Sequence, residues 1–385
     1  MAEKQIKKIC FVVSAEMQAI AFLLPHIKNL SGYYSISIVL NTKNDNFLQE
    51  INPKISVFPI FLEREINLIS DIKSLIKLYL LFKNNRYDVV HSITPKAGLL
   101  SMLASFFARV PIRVHWFTGQ VWATKKGLFK LFLKQMDRFI YLFATDVLVD
   151  SPSQRNFLVK HRIIKLNNTG VLGSGSVCGV DTAIFKPDKD SALSLRRSIG
   201  VSQKSFVILY IGRVSKDKGV ANLGHVFSKL AKRYSTLELL IVGPDEGSLK
   251  EVLSICRNFL SRVKVVGFTN VPEQFMNSAD LLCLPSFREG FGTVVIEAGA
   301  CEVPSIVTKI YGLNDAIEEG ITGLTYDPSN LNEMESKIEK FINNKALRQE
   351  MGAASRKRAL QYFDQKILIK ELESFYQELL QRPSC

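Results

Sequence analysis

Short apolar runs of strand length, separated by longer amphipathic stretches, recur along almost the whole chain, and this alternation restricts the fold more than any other feature. In the first half the runs are KKICFVV (7–13), SISIVL (35–40), KISVFPI (54–60), YDVVHSI (87–93), PIRVHWF (111–117) and TDVLVDS (145–151). They fit buried strands with helices between most of them, which points to a parallel sheet covered by helices. A polar stretch, FKPDKDSALSLRRSIG (185–200), interrupts the rhythm and reads as an interdomain linker. The rhythm then restarts with SFVILYIG (205–212), LELLIVG (237–243), RVKVVGF (262–268), ADLLCLPS (279–286), VPSIVT (303–308) and TGLTY (322–326). From about Leu331 the chain is helical and charged to its end. The expected fold is α/β, with two doubly wound parallel-sheet domains at 1–190 and 191–365. A final helix at 366–385 can pack back toward the N-terminal domain. A length of 385 residues accommodates two domains of ordinary size.

Charge is shared unevenly. Up to residue 200 there are 27 Lys and Arg against 14 Asp and Glu, a surplus of 13; beyond it there are 23 against 22. A basic half on a globular chain calls for an anionic partner: nucleic acid, anionic lipid or a phosphorylated substrate. With 47% hydrophobic and 22% charged residues, a disordered chain is excluded. No apolar run reaches the ~18 residues that cross a bilayer, and the N-terminal apolar stretch is too short for a secretory signal, so a cytoplasmic location is expected. The six cysteines lack CxxC or Cys/His spacing, which argues against zinc or a disulfide framework.

Two loops carry the chemistry. In PSFREGFGTVVIEAGACEVPSIV (285–307) a strand runs into Glu289, Gly290, Phe291 and Gly292, and a helix starts near Thr293. Such a start leaves backbone N–H groups free for anions, and the glycines let a ligand approach closely. Glu289 and Glu297 can accept hydrogen bonds from polyol hydroxyls; the alternative is a turn with two solvated acids. In LYIGRVSKDKGV (209–220) a strand ends at Gly212, followed by Arg213 and Lys218. A guanidinium fork and a mobile ammonium suit a diphosphate; the alternative is a solvated basic loop.

Together with IVGPDEG (241–247), VVGFTNVPEQFMNSADLLCLPS (265–286) and GLNDAIEEGITGLTY (312–326), these loops resemble the family 4 glycosyltransferases. The resemblance implies GT-B architecture, two Rossmann-like domains facing across a cleft in which the reaction occurs. It implies that Arg213 and Lys218 bind the diphosphate of a nucleotide-sugar. Glu289 and the backbone of Gly290, Phe291, Gly292 and Thr293 would hold the sugar and phosphate, and Glu297 the ribose. Thr269 and Asn270 would lie near the base. Glu289, Lys218 and His115 are the catalytic candidates. Family members retain anomeric configuration and usually need no metal. No DxD metal motif is found outside Asp188–Asp190 of the expected linker, so neither cofactor nor metal is expected.

Segments 91–127, 149–158 and 173–185 are similar to bacterial enzymes that build capsule and O-antigen on a polyprenyl-diphosphate carrier. That carrier is anionic and membrane-bound, which would account for the basic half. Lys96, Arg113 and Thr118 are the candidate acceptor contacts. The chain departs from many relatives at VVSAEMQAIAF (12–22), where Ser14 and Ala15 replace a Gly-Gly pair. Thr118-Gly119 also stands where relatives have His-Gly, His115 being the nearest imidazole.

TKKGLFKLFLKQMDRFIYLFA (124–144) places Lys126, Lys130, Lys134 and Arg138 at steps of four, with Phe129, Phe132, Phe139 and Phe143 on much of the remaining circumference. Such a helix suits an anionic bilayer surface; the alternative packs its aromatics on the sheet. INLISDIKSLIKLYLLF (66–82) is a second candidate for such a surface, with core as the favoured reading.

The expected activity is transfer of a hexosyl or N-acetylhexosaminyl group from a UDP-sugar to a lipid-linked saccharide at the inner face of the bacterial cytoplasmic membrane. Rivals are an epimerase or phosphorylase of the same architecture, a silent nucleotide-sugar-binding subunit, and a nucleic-acid-binding protein. The last lacks any recognisable binding module. Small changes in a sugar pocket alter specificity without touching these motifs, so they specify neither sugar, linkage nor oligomeric state.

Overall fold

The computed structural model describes residues 6–44, 54–62 and 66–382. The chain forms two compact units, one of residues 1–178 with 365–385 and one of residues 179–364.

The first unit carries a parallel sheet of β1 (Lys8–Val12), β2 (Ser35–Leu40), β3 (Ser56–Pro59), β4 (Val89–Ile93), β5 (Ile112–Phe117), β6 (Asp146–Val149) and β7 (Thr169–Val171), in the order β3-β2-β1-β4-β5-β6-β7. The second carries β8 (Phe206–Ile211), β9 (Leu237–Val242), β10 (Val263–Val266), β11 (Leu281–Leu284), β12 (Ser305–Thr308) and β13 (Gly323–Tyr326), in the order β10-β9-β8-β11-β12-β13. All six apolar runs of each half are strands. The extra strand, β7, is only three residues long and contains Gly170, too short to show a period.

β4, β8, β9 and β11 are buried along their whole lengths because helices cover both faces of each sheet. In the first unit, one face packs against helix Leu24–Leu30 and helix Gln365–Gln381, whose Leu368, Leu372, Tyr376 and Leu379 are fully buried there. The other face packs against helices Leu68–Asn85, Pro95–Phe107, Gly127–Phe143 and Pro152–Lys160.

The stretch expected as a linker is structured. Helix Lys189–Ser198 is N-capped by Asp188 and tied into the second unit by Arg196, which donates to Ser278 O, Ser205 O and the Asp280 carboxylate at 2.8–3.1 Å. Its apolar contribution is little more than Leu195 and Ile199, so polar composition disguised it. The chain passes between units at 178/179 and 364/365 instead.

Each strand order reverses once, between β1 and β4 and between β8 and β11. At such a reversal the flanking loops leave in opposite directions, opening a crevice at the carboxyl edge of the sheet.

Candidate active site

At the β8/β11 reversal the loops after the two strands lie directly on each other. Gly219, with φ +66°, closes the turn Lys216–Lys218, and a Cβ there would stand 2.1 Å from Pro285 O. Phe287 N donates to Asp217 O at 2.9 Å, and the Arg288 guanidinium pairs with the Asp217 carboxylate at 2.8 Å. Burial alone would raise that carboxyl, but the Ser215 hydroxyl and Arg288 outweigh it and hold Asp217 below its usual range.

This docking joins Lys218 to Glu289. Their ion pair is 15% and 14% exposed, and the Ser286 hydroxyl donates to the same Glu289 oxygen at 2.8 Å. Arg213 pairs with Glu246 from the loop after β9 and lies 3.9 Å from Asp217. The Arg213, Lys218 and Glu289 candidates are thus linked on one rim through Asp217, Arg288 and the loop contact. Sequence reading missed Asp217, Glu246, Arg288 and Ser286. The available signal was their place in the same quoted loops, with Asp217 four residues from Arg213.

Helix Thr293–Ala300 starts at Gly292, φ +84°, with no side chain capping it, so its first N–H groups stay open to a ligand. Phe291 is buried with its ring 5.1 Å from that of Phe363, so only its backbone is offered to the site. Thr269 and Asn270 follow β10 at the same carboxyl edge, the Thr269 hydroxyl accepting from Val271 N.

Glu297, one turn into the helix, has no side-chain hydrogen bond among the described residues. Desolvation raises its carboxyl to about 7. A raised folded-state value favours the acid, so the native state is favoured at low pH and loses stability as pH rises from the ordinary 4.5 through about 7. Glu297→Gln should therefore melt above the wild type at pH beyond 7 and match it below 4.5, as thermal melts across pH would show.

In the first unit, Ser14 Oγ and Thr94 Oγ1 lie 2.8 Å apart at the β1/β4 reversal. Thr94 has φ +78°, a conformation costly for a β-branched residue. Sequence reading missed it, since nothing in Thr-Pro announces a positive φ. Lys96, in the next turn, pairs with Asp71 at 2.7 Å. Thr118 leaves the carboxyl end of β5, and its carbonyl accepts from the Gln120 and Gln154 amides.

Two expected roles do not survive. His115 is 1% exposed, edge-on to Phe117, with Nδ1 2.8 Å from Ser92 Oγ. A Cβ on Gly98 would stand 2.3 Å from its ring, and burial lowers the imidazole to about 3. It is thus a neutral imidazole packed inside the unit, not one exposed at the carboxyl edge of the sheet. Arg113 is the second residue of β5, at the amino edge, about 13 Å along the strand from the carboxyl end. It donates to Phe143 O and Val110 O at 2.7–2.8 Å and secures the end of a helix rather than an acceptor.

On helix Gly127–Phe143 the apolar side faces outward: Leu128, Phe129, Leu131, Phe132, Phe139 and Leu142 are exposed. Most of the basic stripe is folded against the protein. Lys130 and Lys134 lie 6.0 and 5.2 Å from the Trp122 ring, and Arg138 donates to Arg162 O, while Lys126 is exposed. The segment read as core, 66–82, is not wholly so. Its helix exposes Leu68, Ile69, Ile72, Ile76 and Leu80. No described helix is long and apolar enough to cross a membrane. Among the described residues, no group of three or more His, Cys, Asp or Glu is placed to hold a metal ion.

Residues 193–358 match the family Glycosyl transferases group 1, and residues 8–151 match Glycosyl transferase 4-like. A Staphylococcus aureus capsular polysaccharide biosynthesis glycosyltransferase, CapM, is 34% identical over 83% of this chain and 84% of its own length. An Escherichia coli UDP-Gal:alpha-D-GlcNAc-diphosphoundecaprenol alpha-1,3-galactosyltransferase is 29% identical over 73% of this chain and 71% of its own. The crystal structure of Anabaena Alr3699/HepE in complex with UDP-glucose superposes with a TM-score of 0.79 at 22% identity, over 96% of this chain and 99% of that one, and shares the fold. With both halves matched and a relative this similar over most of its length, the chain belongs to the family 4 glycosyltransferases and is a glycosyltransferase of GT-B fold.

Proposed function

We propose that the enzyme transfers a sugar, with retention of anomeric configuration, from a UDP-linked donor to a polyprenyl-diphosphate-linked saccharide in the assembly of a bacterial surface polysaccharide such as capsule or O-antigen. The observation that carries this is the Lys218–Glu289 pair at the β8/β11 reversal, with Arg213 beside it. A diphosphate is the ligand that separates such a pair productively. Lys218 and Arg213 turn to the phosphates, and Glu289, already oriented by Ser286, is released to accept from a sugar hydroxyl. The open N–H groups after Gly292 would meet phosphate or sugar oxygens. Glu297 would accept from the ribose hydroxyls, and its ionisation near neutrality would tighten donor binding as pH rises.

In the reaction the bond from the anomeric carbon to the diphosphate oxygen breaks and the bond to the acceptor oxygen forms on the same face. With His115 sealed into β5, the acceptor's proton is assigned to the leaving phosphate. The chain's cations supply the charge neutralisation, so the reading requires no metal. The E. coli relative takes UDP-Gal as donor and a diphosphoundecaprenol-linked sugar as acceptor, and the Anabaena structure holds UDP-glucose, which favours the same classes here. A lipid acceptor fits peripheral attachment to the inner leaflet through the outward apolar side of helix Gly127–Phe143.

The test incubates purified protein with a panel of nucleotide-sugars and lipid-linked acceptors, with and without chelator, and identifies products by mass. Transfer from a UDP-sugar to lipid-linked saccharide, persisting in chelator, is expected. Turnover of the nucleotide-sugar without a lipid acceptor would favour an epimerase or phosphorylase instead.

A further inference from the structure

Helix Leu68–Asn85 is apolar on two opposite sides, and only one is used inside the fold. Leu78 and Phe82 are buried against the sheet, with Leu75 and Tyr79 packed beside them. On the far side, Ile69, Ile72, Ile76 and Leu80 fall within an arc of about 80° at 100° per residue and are all exposed. Lys73 and Lys77 border this row on one flank and Lys83 falls within it, while the helix's single acid, Asp71, is taken by Lys96.

The row has a counterpart. Helix Gly127–Phe143 presents Leu128, Leu131, Phe132, Phe139 and Leu142 within an arc of about 100°, all exposed. Both helices cover the same face of the first unit's sheet and pack on either side of helix Pro95–Phe107. At ordinary helix spacing the two rows lie about 20 Å apart, with the middle helix recessed, most of its residues being buried. Two exposed apolar rows, with Lys73, Lys77, Lys83 and Lys126 exposed around them, match the acyl boundary and anionic headgroups of a bilayer.

The geometry points to a paired docking surface, in which helix Leu68–Asn85 enters an anionic phospholipid leaflet together with helix Gly127–Phe143. This rests on the peripheral attachment proposed above and adds a second contact to it. Two parallel contacts fix the rotation of the unit on the leaflet, which a single helix lying in the interface does not. Both helices begin at the carboxyl edge of the sheet, where Lys96 and Thr118 lie, so the docked face leads to that edge.

The test is co-sedimentation with vesicles of phosphatidylglycerol and phosphatidylcholine, and with vesicles of phosphatidylcholine alone. Three proteins are compared: wild type, I69S/I72S/I76S and L131S/F132S/F139S, each checked for an unchanged melting temperature. The wild type should partition onto the anionic vesicles and weakly onto the neutral ones, and each triple variant should lose about tenfold or more in partitioning. If L131S/F132S/F139S loses binding while I69S/I72S/I76S binds like the wild type, the second contact is overturned and the attachment stands. If the wild type binds no anionic vesicle, the attachment itself fails. Light scattering that shows a wild-type dimer, split by I69S/I72S/I76S with vesicle binding unchanged, would assign the row to a second copy of the chain and overturn the inference.

Discussion

Lys218→Ala is expected to slow sugar transfer by roughly 100-fold at saturating donor, which corresponds to about 3 kcal/mol of transition-state stabilisation. Charge grows on the bridging phosphate oxygen as the nucleoside diphosphate leaves, so an ammonium beside it is worth more in the transition state than in the bound donor. The loss should therefore fall on kcat, with a smaller change in donor affinity. A lysine that merely held the donor would raise KM and spare kcat. The substitution should leave the local structure intact, because Glu289 keeps the Ser286 hydroxyl and the two loops stay joined through Phe287 N and Arg288. Unchanged turnover in a folded Lys218→Ala enzyme would refute the role given to this residue.

The strands, and the two loops that meet at the β8/β11 reversal, were legible in the sequence because each depends on local pattern. A buried parallel strand must be apolar along its length, and a loop that admits a phosphate needs glycine and cations close together. What local pattern does not encode is contact across the fold. Lys218 and Glu289 are separated by 71 positions, and their pairing follows from the strand order that makes β8 and β11 neighbours. The same limit explains His115. An imidazole four residues before a glycine resembles a catalytic placement, yet Gly98, on the helix of the preceding crossover, lets its ring sink into the protein. For Arg113 the sequence does hold a signal: a residue at the start of a parallel strand belongs to the edge away from the ligand. The helices at 68–85 and 127–143 mislead in opposite ways. The first is apolar enough to pass for core, yet half its apolar surface faces outward. The second shows lysines at helical spacing, yet Lys130 and Lys134 lie over Trp122 and the apolar side faces outward.

Gly219 is where fold and activity are hardest to separate, and Gly219→Ala should damage both. Its φ of +66° strains any residue with a Cβ, and that Cβ would lie 2.1 Å from the carbonyl oxygen of Pro285, a backbone atom that cannot turn aside. Together these should cost about 2–4 kcal/mol, lowering the melting temperature by about 5–10 °C for a unit of this size. To relieve the clash the loop after β11 must move off the loop after β8. The Phe287–Asp217 hydrogen bond, the Arg288–Asp217 pair and the Lys218–Glu289 pair would then loosen together. Transfer by the folded enzyme should fall about as far as in Lys218→Ala, roughly 100-fold, although no charged group has been removed. Gly247→Ala separates strain from displacement: its φ is +90°, but nothing lies within 4 Å of the added Cβ. That variant should lose about 1–2 kcal/mol of stability and keep its rate. If the two glycine variants melted alike and turned over alike, docking of the loops would not be what positions Lys218 and Glu289, and the pair's geometry would have to originate within each loop alone.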